Sequence, residues 1–297
     1  MNNNANNSQS GELHTSQAHS LTGSNESFSE SEISGIEYEA YGYSKAGHGV
    51  TTNSDNFYCN RAYMKGFKYM DFKKNAYIME KTSLFAVCTG EGDEDWADET
   101  CKLALEMLNE YESDLTETAN EKEAIAKVNS FVSACDSFMA SQGRQLHMIV
   151  ALIIPGAMIY ASFGKVMLVH KNKKRIIEHP VVTGMLVGSS ALPSMPAKSV
   201  PYRKGDVFVF CTRGIKSLVS VETLAEELKT EHTGMKDIAV RVIGKAIACG
   251  VTESSTCIAV EAKGHENVSM LAYIISILCC IITITDIVLI IRSLFIR

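Results

Sequence analysis

Residues 85–99 read FAVCTGEGDEDWADE, an apolar run that stops at Thr89-Gly90 and passes into a string of acids. The apolar positions 84–88, ended by a glycine turn, have the length and composition of a buried strand. The acids that follow suit the first turn of a helix, where negative side chains complement the helix dipole. Strand ends that open in this way often hold ions or phosphate. Such a site asks for a carboxylate at its centre, yet position 89 carries threonine.

Working outward, Leu103, Ala104, Met107, Leu108 and Tyr111, then Ile125, Val128, Val132, Cys135 and Met139, recur at helical spacing and predict two adjacent amphipathic helices. Apolar runs at 148–154, 158–161 and 166–170 read as strands, with Pro155-Gly156 as a tight hairpin turn. After a loop containing Pro193, Pro196 and Pro201 come a strand at 207–211 and a helix capped by Ser220 and running to Leu228. Met235, Ile238, Ala239, Val242, Ile243 and Ala246 line one face of a further helix, and residues 256–260 close the domain as a strand. Helices arriving in pairs between antiparallel strands predict an α+β fold, a four-layer αββα sandwich of two stacked sheets with helices on both outer faces.

Both flanks differ from this pattern. Residues 1–40 carry nine serines in the first 34 positions and no Lys or Arg, too little apolar surface to offset the entropy of ordering, and are expected to be a disordered tail. Ser27 and Ser29 each have a glutamate three residues on, a pattern open to an acid-directed kinase and equally ordinary in a solvated tail. At the other end Met270 opens sixteen residues without a charge, and only Asp286 interrupts the apolar span before Ile291. At 1.5 Å per residue, residues 270–291 reach about 33 Å, enough to cross the hydrocarbon core of a bilayer. The expected organisation is therefore a tail at 1–40, one domain at 41–262, a linker at 263–269, a transmembrane helix at 270–291 and a short end at 292–297. No signal peptide is read at the start, which predicts a single-pass, tail-anchored protein with its domain in the cytosol. The destination organelle is not specified by these residues.

A net charge of -6 leaves no basic surface of the kind that nucleic acid requires, so nucleic acid is not an expected partner. Nine cysteines without a C-x-x-C pair read as reduced thiols, not as a zinc site or a disulfide framework. The run His170-Lys171-Asn172-Lys173-Lys174-Arg175 has the composition of an exposed hairpin tip, and near an anchor it equally suits contact with anionic headgroups. His147, His170 and His179 are scattered over strands and loops and read as ordinary residues.

Five short segments, in order, carry a resemblance: Asn53-Ser54-Asp55, residues 84–90, residues 161–165, residues 204–214 and Glu253-Ser254-Ser255-Thr256. Together they resemble the successive motifs of the metal-dependent type 2C (PPM) protein phosphatases, over about residues 41–262. The resemblance implies a β-sandwich flanked by helices, with two divalent cations at one end bridged by a water that attacks a phosphoserine or phosphothreonine. Hard cations such as Mg²⁺ or Mn²⁺ need carboxylate oxygens there.

Position by position, most of those carboxylates are gone. The resemblance puts the bridging aspartate on Thr89, another aspartate on Arg213 and a third on Lys165, with the glutamate of the first motif on Ser54 and a phosphate-gripping arginine on Val50. The residual family positions are Asp55, beside the retained Asn53, Gly90, whose carbonyl serves a metal, and Glu253, a longer acid where the family has aspartate. A guanidinium near a dication is repelled by several kcal/mol even at an effective dielectric of ~20. No metal cofactor is therefore expected, and Arg213 is expected to pair with Asp55 or Glu253 and brace the former cleft.

Three functions fit. The first is a membrane-tethered pseudophosphatase that binds a phosphoprotein, a kinase or another signalling partner. An alternative is an active Mg²⁺- or Mn²⁺-dependent serine/threonine phosphatase rebuilt on Asp55, Glu253 and the acids from Glu91 to Asp98. A third is a scaffold whose contacts are made by the N-terminal tail. The acids after Gly90 also read simply as the charged start of a helix.

Overall fold

The segment LHMIVALII, residues 146–154, has no polar face, and in the computed structural model all nine residues are buried. The structure describes residues 38–66, 70–78, 80–193, 196–229 and 234–263. The strand can be apolar throughout because it is covered twice. Met148, Val150, Leu152 and Ile154 face a helical layer, while Ile149, Ala151 and Ile153 face a second sheet.

In chain order the elements are β1 (Tyr38–Lys45), β2 (Asp55–Cys59), β3 (Asp71–Ile78), β4 (Ser83–Gly90), α1 (Glu94–Thr116), α2 (Glu121–Ser141), β5 (Leu146–Ile154) and β6 (Ala157–Phe163). There follow β7 (Met167–Lys171), β8 (Ile176–Glu178), β9 (Lys198–Pro201), β10 (Val207–Cys211), α3 (Arg213–Lys216), α4 (Val221–Lys229), α5 (Met235–Ala248) and β11 (Ser255–Ala262). One sheet has the order β3-β1-β11-β10-β7-β8 and the other β2-β4-β5-β6-β9. Between the sheets lie Phe57, Phe85, Val87, Phe208, Phe210 and Ile258 with their neighbours. Helices α1 and α2 cover the five-stranded sheet through Leu105, Leu108 and Phe131, and α3 to α5 cover the other through Ile215, Leu224 and Val242. Three apolar layers thus separate four layers of structure. Each fully buried Leu, Ile, Val or Phe contributes about 1.5–3 kcal/mol, so the fold is held chiefly by these layers.

The predicted helices and the apolar strands form where periodicity puts them. Ser220 caps α4, its Oγ accepting from Thr223 N–H at 3.2 Å. Pro155-Gly156 turns the β5–β6 hairpin with Gly156 at φ 82°. The Tyr38 ring is buried with its hydroxyl 2.7 Å from that of Tyr202, so Tyr38 packs with the domain ahead of the expected boundary at residue 41. One correction concerns this N-terminal part. Strands β1, β2 and β3 precede the first predicted strand. They lack a continuous apolar run: β3 is a sheet edge with most side chains exposed, and β1 holds Gly42, where a Cβ would lie 2.3 Å from the Phe57 ring.

Among the described residues no helix is long and apolar enough to cross a membrane. The predicted span at 270–291 and most of the predicted tail lie outside the described residues.

Candidate functional site

The site is a consequence of strand register. In the five-stranded sheet Asp55 on β2 stands opposite Thr89 on β4, and Thr89 stands opposite His147 on β5. At the same end of the other sheet β10 runs out through Thr212 into α3, and β11 enters at Ser255.

Asp55 is fully buried, and hydroxyls meet both of its oxygens. Thr89 Oγ1 donates to Oδ1 at 2.5 Å, and Thr212 Oγ1 donates to Oδ2 across the interface between the sheets. Thr212 Oγ1 in turn accepts from Thr256 N–H at 2.9 Å, which fixes the direction of its own proton. Thr212 stands at the cap position of α3 yet makes no side-chain capping bond, since its hydroxyl is committed to Asp55. Asn53 Oδ1 accepts from Asp55 N–H at 3.1 Å, and Asn53 Nδ2 donates to Ser44 Oγ at 2.9 Å. Burial pushes the Asp55 carboxyl up to about 6, against the opposing pull of the threonine hydroxyls and the Arg213 charge.

Outside this buried carboxyl lies an ionic layer. Arg213 Nε donates to Glu253 Oε2 at 2.9 Å and Nη1 to Glu91 Oε1 at 2.5 Å. Lys165 N–H donates to His147 Nδ1 at 3.0 Å, so the ring proton sits on Nε2 and is given to Glu91 Oε1 at 2.6 Å. The 3.3 Å approach of Arg213 Nη1 to His147 Nε2 is therefore two donors converging on one carboxylate oxygen. Burial and the Arg213 charge lower the His147 pKa, and its bond to Glu91 opposes them; the neutral ring is favoured. Gly164, at φ +77°, makes the approach of Lys165 to His147 possible: a Cβ there would lie 2.0 Å from His147 Nδ1.

The predicted positions separate into those that meet and those that do not. Arg213 pairs with Glu253 as expected, but its second partner is Glu91 and not Asp55, whose oxygens are taken by hydroxyls. Val50 lies in the loop before β2 and offers no charge for phosphate. Ser54 acts through its backbone, donating to Ser254 Oγ at 3.0 Å and accepting from Gly90 N–H at 3.2 Å. Gly90 has a steric role here, since a Cβ would lie 2.3 Å from Ala97 O where α1 crosses the strand end. Lys165 has an exposed side chain and contributes its N–H.

Two residues exceed their sequence readings. His147, read as ordinary, is the link between Lys165 and Glu91. Glu91 belongs to the site, whereas Asp93 caps α1 and Glu94 and Asp95 bind Thr51 and Thr52. The signal for Glu91 was its place directly after Thr89-Gly90; nothing local marked His147 or Thr212.

These residues do not fit a pair of dications. Among the described residues no group of three or more His, Cys, Asp or Glu side chains could hold a metal ion. Asp55, Glu91 and Glu253 already bind fixed donors, and the donor to the last two is a permanent cation. A cleft of about 270 Å³, walled by Ile243, Ile247 and Val251, opens on the Glu253 side. Another of about 320 Å³ opens beside Lys165, His179 and Lys216.

The sequence matches no protein-family model and no curated protein. Solved structures do share the fold. The S. agalactiae serine/threonine phosphatase superposes with a TM-score of 0.60 at 15% identity, over 76% of this chain and 100% of that one. The catalytic domain of the serine threonine protein phosphatase PstP, in complex with two manganese ions, gives 0.58 at 16% identity over 76% and 99%. RsbX in complex with magnesium gives 0.55 at 16% identity over 76% and 95%. The chain thus has the mixed α+β fold of a PPM-type phosphatase domain.

Proposed function

We propose that this chain is a degenerate, catalytically inactive member of the type 2C (PPM) phosphatases, tethered to a membrane by residues 270–291 and acting by binding a phosphoprotein or other signalling partner. One observation carries the reading: the Arg213 guanidinium joins Glu91 to Glu253 at a position where the resemblance puts a metal-binding aspartate. The carboxylates that would hold a dication hold this cation instead, and Asp55 is closed off by Thr89 and Thr212. With no polarised water the phosphoryl group meets no nucleophile, while the two flanking clefts keep a shaped surface for a partner.

The test is metal binding and turnover by the full chain. Calorimetric titration with Mn²⁺ is expected to give no binding in the micromolar range, and p-nitrophenyl phosphate with Mn²⁺ no hydrolysis above background. Micromolar binding abolished by Glu253→Ala, with turnover lost in Asp55→Ala, would establish the alternative of a rebuilt active phosphatase. Co-flotation of the full chain with lipid vesicles tests the tether.

A further inference from the structure

The sandwich has two unlike ends. Register places Lys45 opposite Ser255 at the end that carries the Arg213 site, and Tyr38 opposite Ala262 at the other. Both strands have eight residues, so the ends are about 25 Å apart. The domain is entered at Tyr38 and left after Ala262 at the same distal end.

Two basic loops project from that end. Lys171, the last residue of β7, pairs with Val207, and Val207 pairs with Glu261, which brings the β7–β8 hairpin tip level with the chain exit. The turn before β10 is joined to the exit directly, Gly205 N–H donating to Ala262 O at 2.6 Å. Lys173, Lys174 and Arg175 on the tip and Lys204 on the turn are all exposed, and none has an ion pair among the described residues. The tip is bonded within itself: Asn172 Oδ1 accepts from the N–H groups of Lys174 and Arg175, both at 2.9 Å. The acids on the adjoining strands are engaged. Glu39 and Glu261 both pair with Lys263, and Asp206 accepts from Arg203 N–H and lies 2.8 Å from His170. The opposite end carries Glu91, Asp93, Glu94, Asp95 and Glu253. The two loops beside the chain exit are therefore basic, while the α1–α2 turn at the same end, over the other sheet, exposes Glu117 and Glu121.

We infer that these two basic loops form a docking face for an anionic bilayer surface, with Lys173, Lys174, Arg175 and Lys204 as its contacts. The inference rests on the reading that residues 270–291 enter a membrane. Seven peptide steps separate Lys263 from Met270, a reach of at most about 25 Å, so the tether keeps this end beside the lipid and lets the loops come within a Debye length of about 8 Å. Each basic residue held at an anionic surface multiplies partitioning about five-fold. With this end at the lipid, the Arg213 site and its clefts, about 25 Å away, face the aqueous side.

The experiment reconstitutes the full chain in vesicles of phosphatidylcholine alone or with about one-third phosphatidylserine, and acetylates lysines for mass spectrometry. Lys173, Lys174 and Lys204 are expected to react about five-fold more slowly in the anionic vesicles at physiological salt, and equally in both at high salt. Lys165, at the other end, is expected to react alike throughout. The Lys173→Glu, Lys174→Glu double variant, confined to an exposed tip, is expected to float with the vesicles while Lys204 loses its protection. A chain that floats yet shows equal labelling in both vesicles overturns the docking face and leaves the tether standing, the basic loops then serving another acidic partner. Failure to float with either vesicle overturns the tether and this inference together.

Discussion

If Arg213 is what keeps dications out, replacing it with the acid that the phosphatase resemblance implies should let them in. Arg213→Asp removes two ion pairs whose glutamates are 37% and 46% exposed, so solvent screening limits their combined worth to about 1–2 kcal/mol. It also crowds three acids at one strand end, which adds on the order of 1 kcal/mol of repulsion. For a domain of this size the metal-free variant should melt about 4–12 °C lower. Toward a dication the change is larger and opposite in sign. At roughly 4 Å and an effective dielectric of ~20, a guanidinium repels a double charge by about 8 kcal/mol, and recovering half of that is about three powers of ten in Kd. A variant with a Kd near ~10 µM would gain about 2.7 kcal/mol from ~1 mM Mn²⁺, returning most of the lost melting temperature. The assay is thermal unfolding followed by circular dichroism, with and without Mn²⁺, on the variant and the unmodified chain. Equal stabilisation of both proteins by Mn²⁺ would refute the reasoning, and so would a folded variant that Mn²⁺ leaves unmoved.

Three further outcomes follow from the geometry. Asp55 has a folded pKa of about 6 against an ordinary 3.8, so it favours folding fully below about pH 3.8 and loses that contribution as pH rises through 6. Asp55→Asn should accordingly gain up to about 3 kcal/mol relative to the unmodified chain between pH 4 and pH 7, and urea titrations at the two pH values showing a constant difference would sink the argument. Gly164→Ala places a Cβ on the His147 ring at a positive φ and should cost about 2–3 kcal/mol, read from the urea midpoint, with the His147 side-chain NMR signals shifted. Ser220→Ala should cost only about 1 kcal/mol, the worth of an ordinary N-cap, and leave the His147 signals in place.

The layered architecture was legible along the chain because its central strands are covered on both sides. Continuous runs such as 146–154 and 207–211, and the helical periodicity of α1, α2 and α5, report burial within a single element, and burial by neighbours a few residues away is what a linear pattern records. Strands β1 and β3 escaped notice for the converse reason: an edge strand with exposed lysines and a strand interrupted by Gly42 leave no such record. Arg213 stands where the resemblance puts an aspartate, and Glu253 was the partner within reach of the same reading. The remaining contacts join residues far apart. Thr212 and Asp55 are separated by 157 positions, and Arg213 and Glu91 by 122. Those pairs exist because two sheets, each registered by its own hydrogen bonds, stack with one particular offset. Residue order carries the strength of every apolar layer, but the offset between layers is a sum of many weak packing terms that only the assembled core resolves.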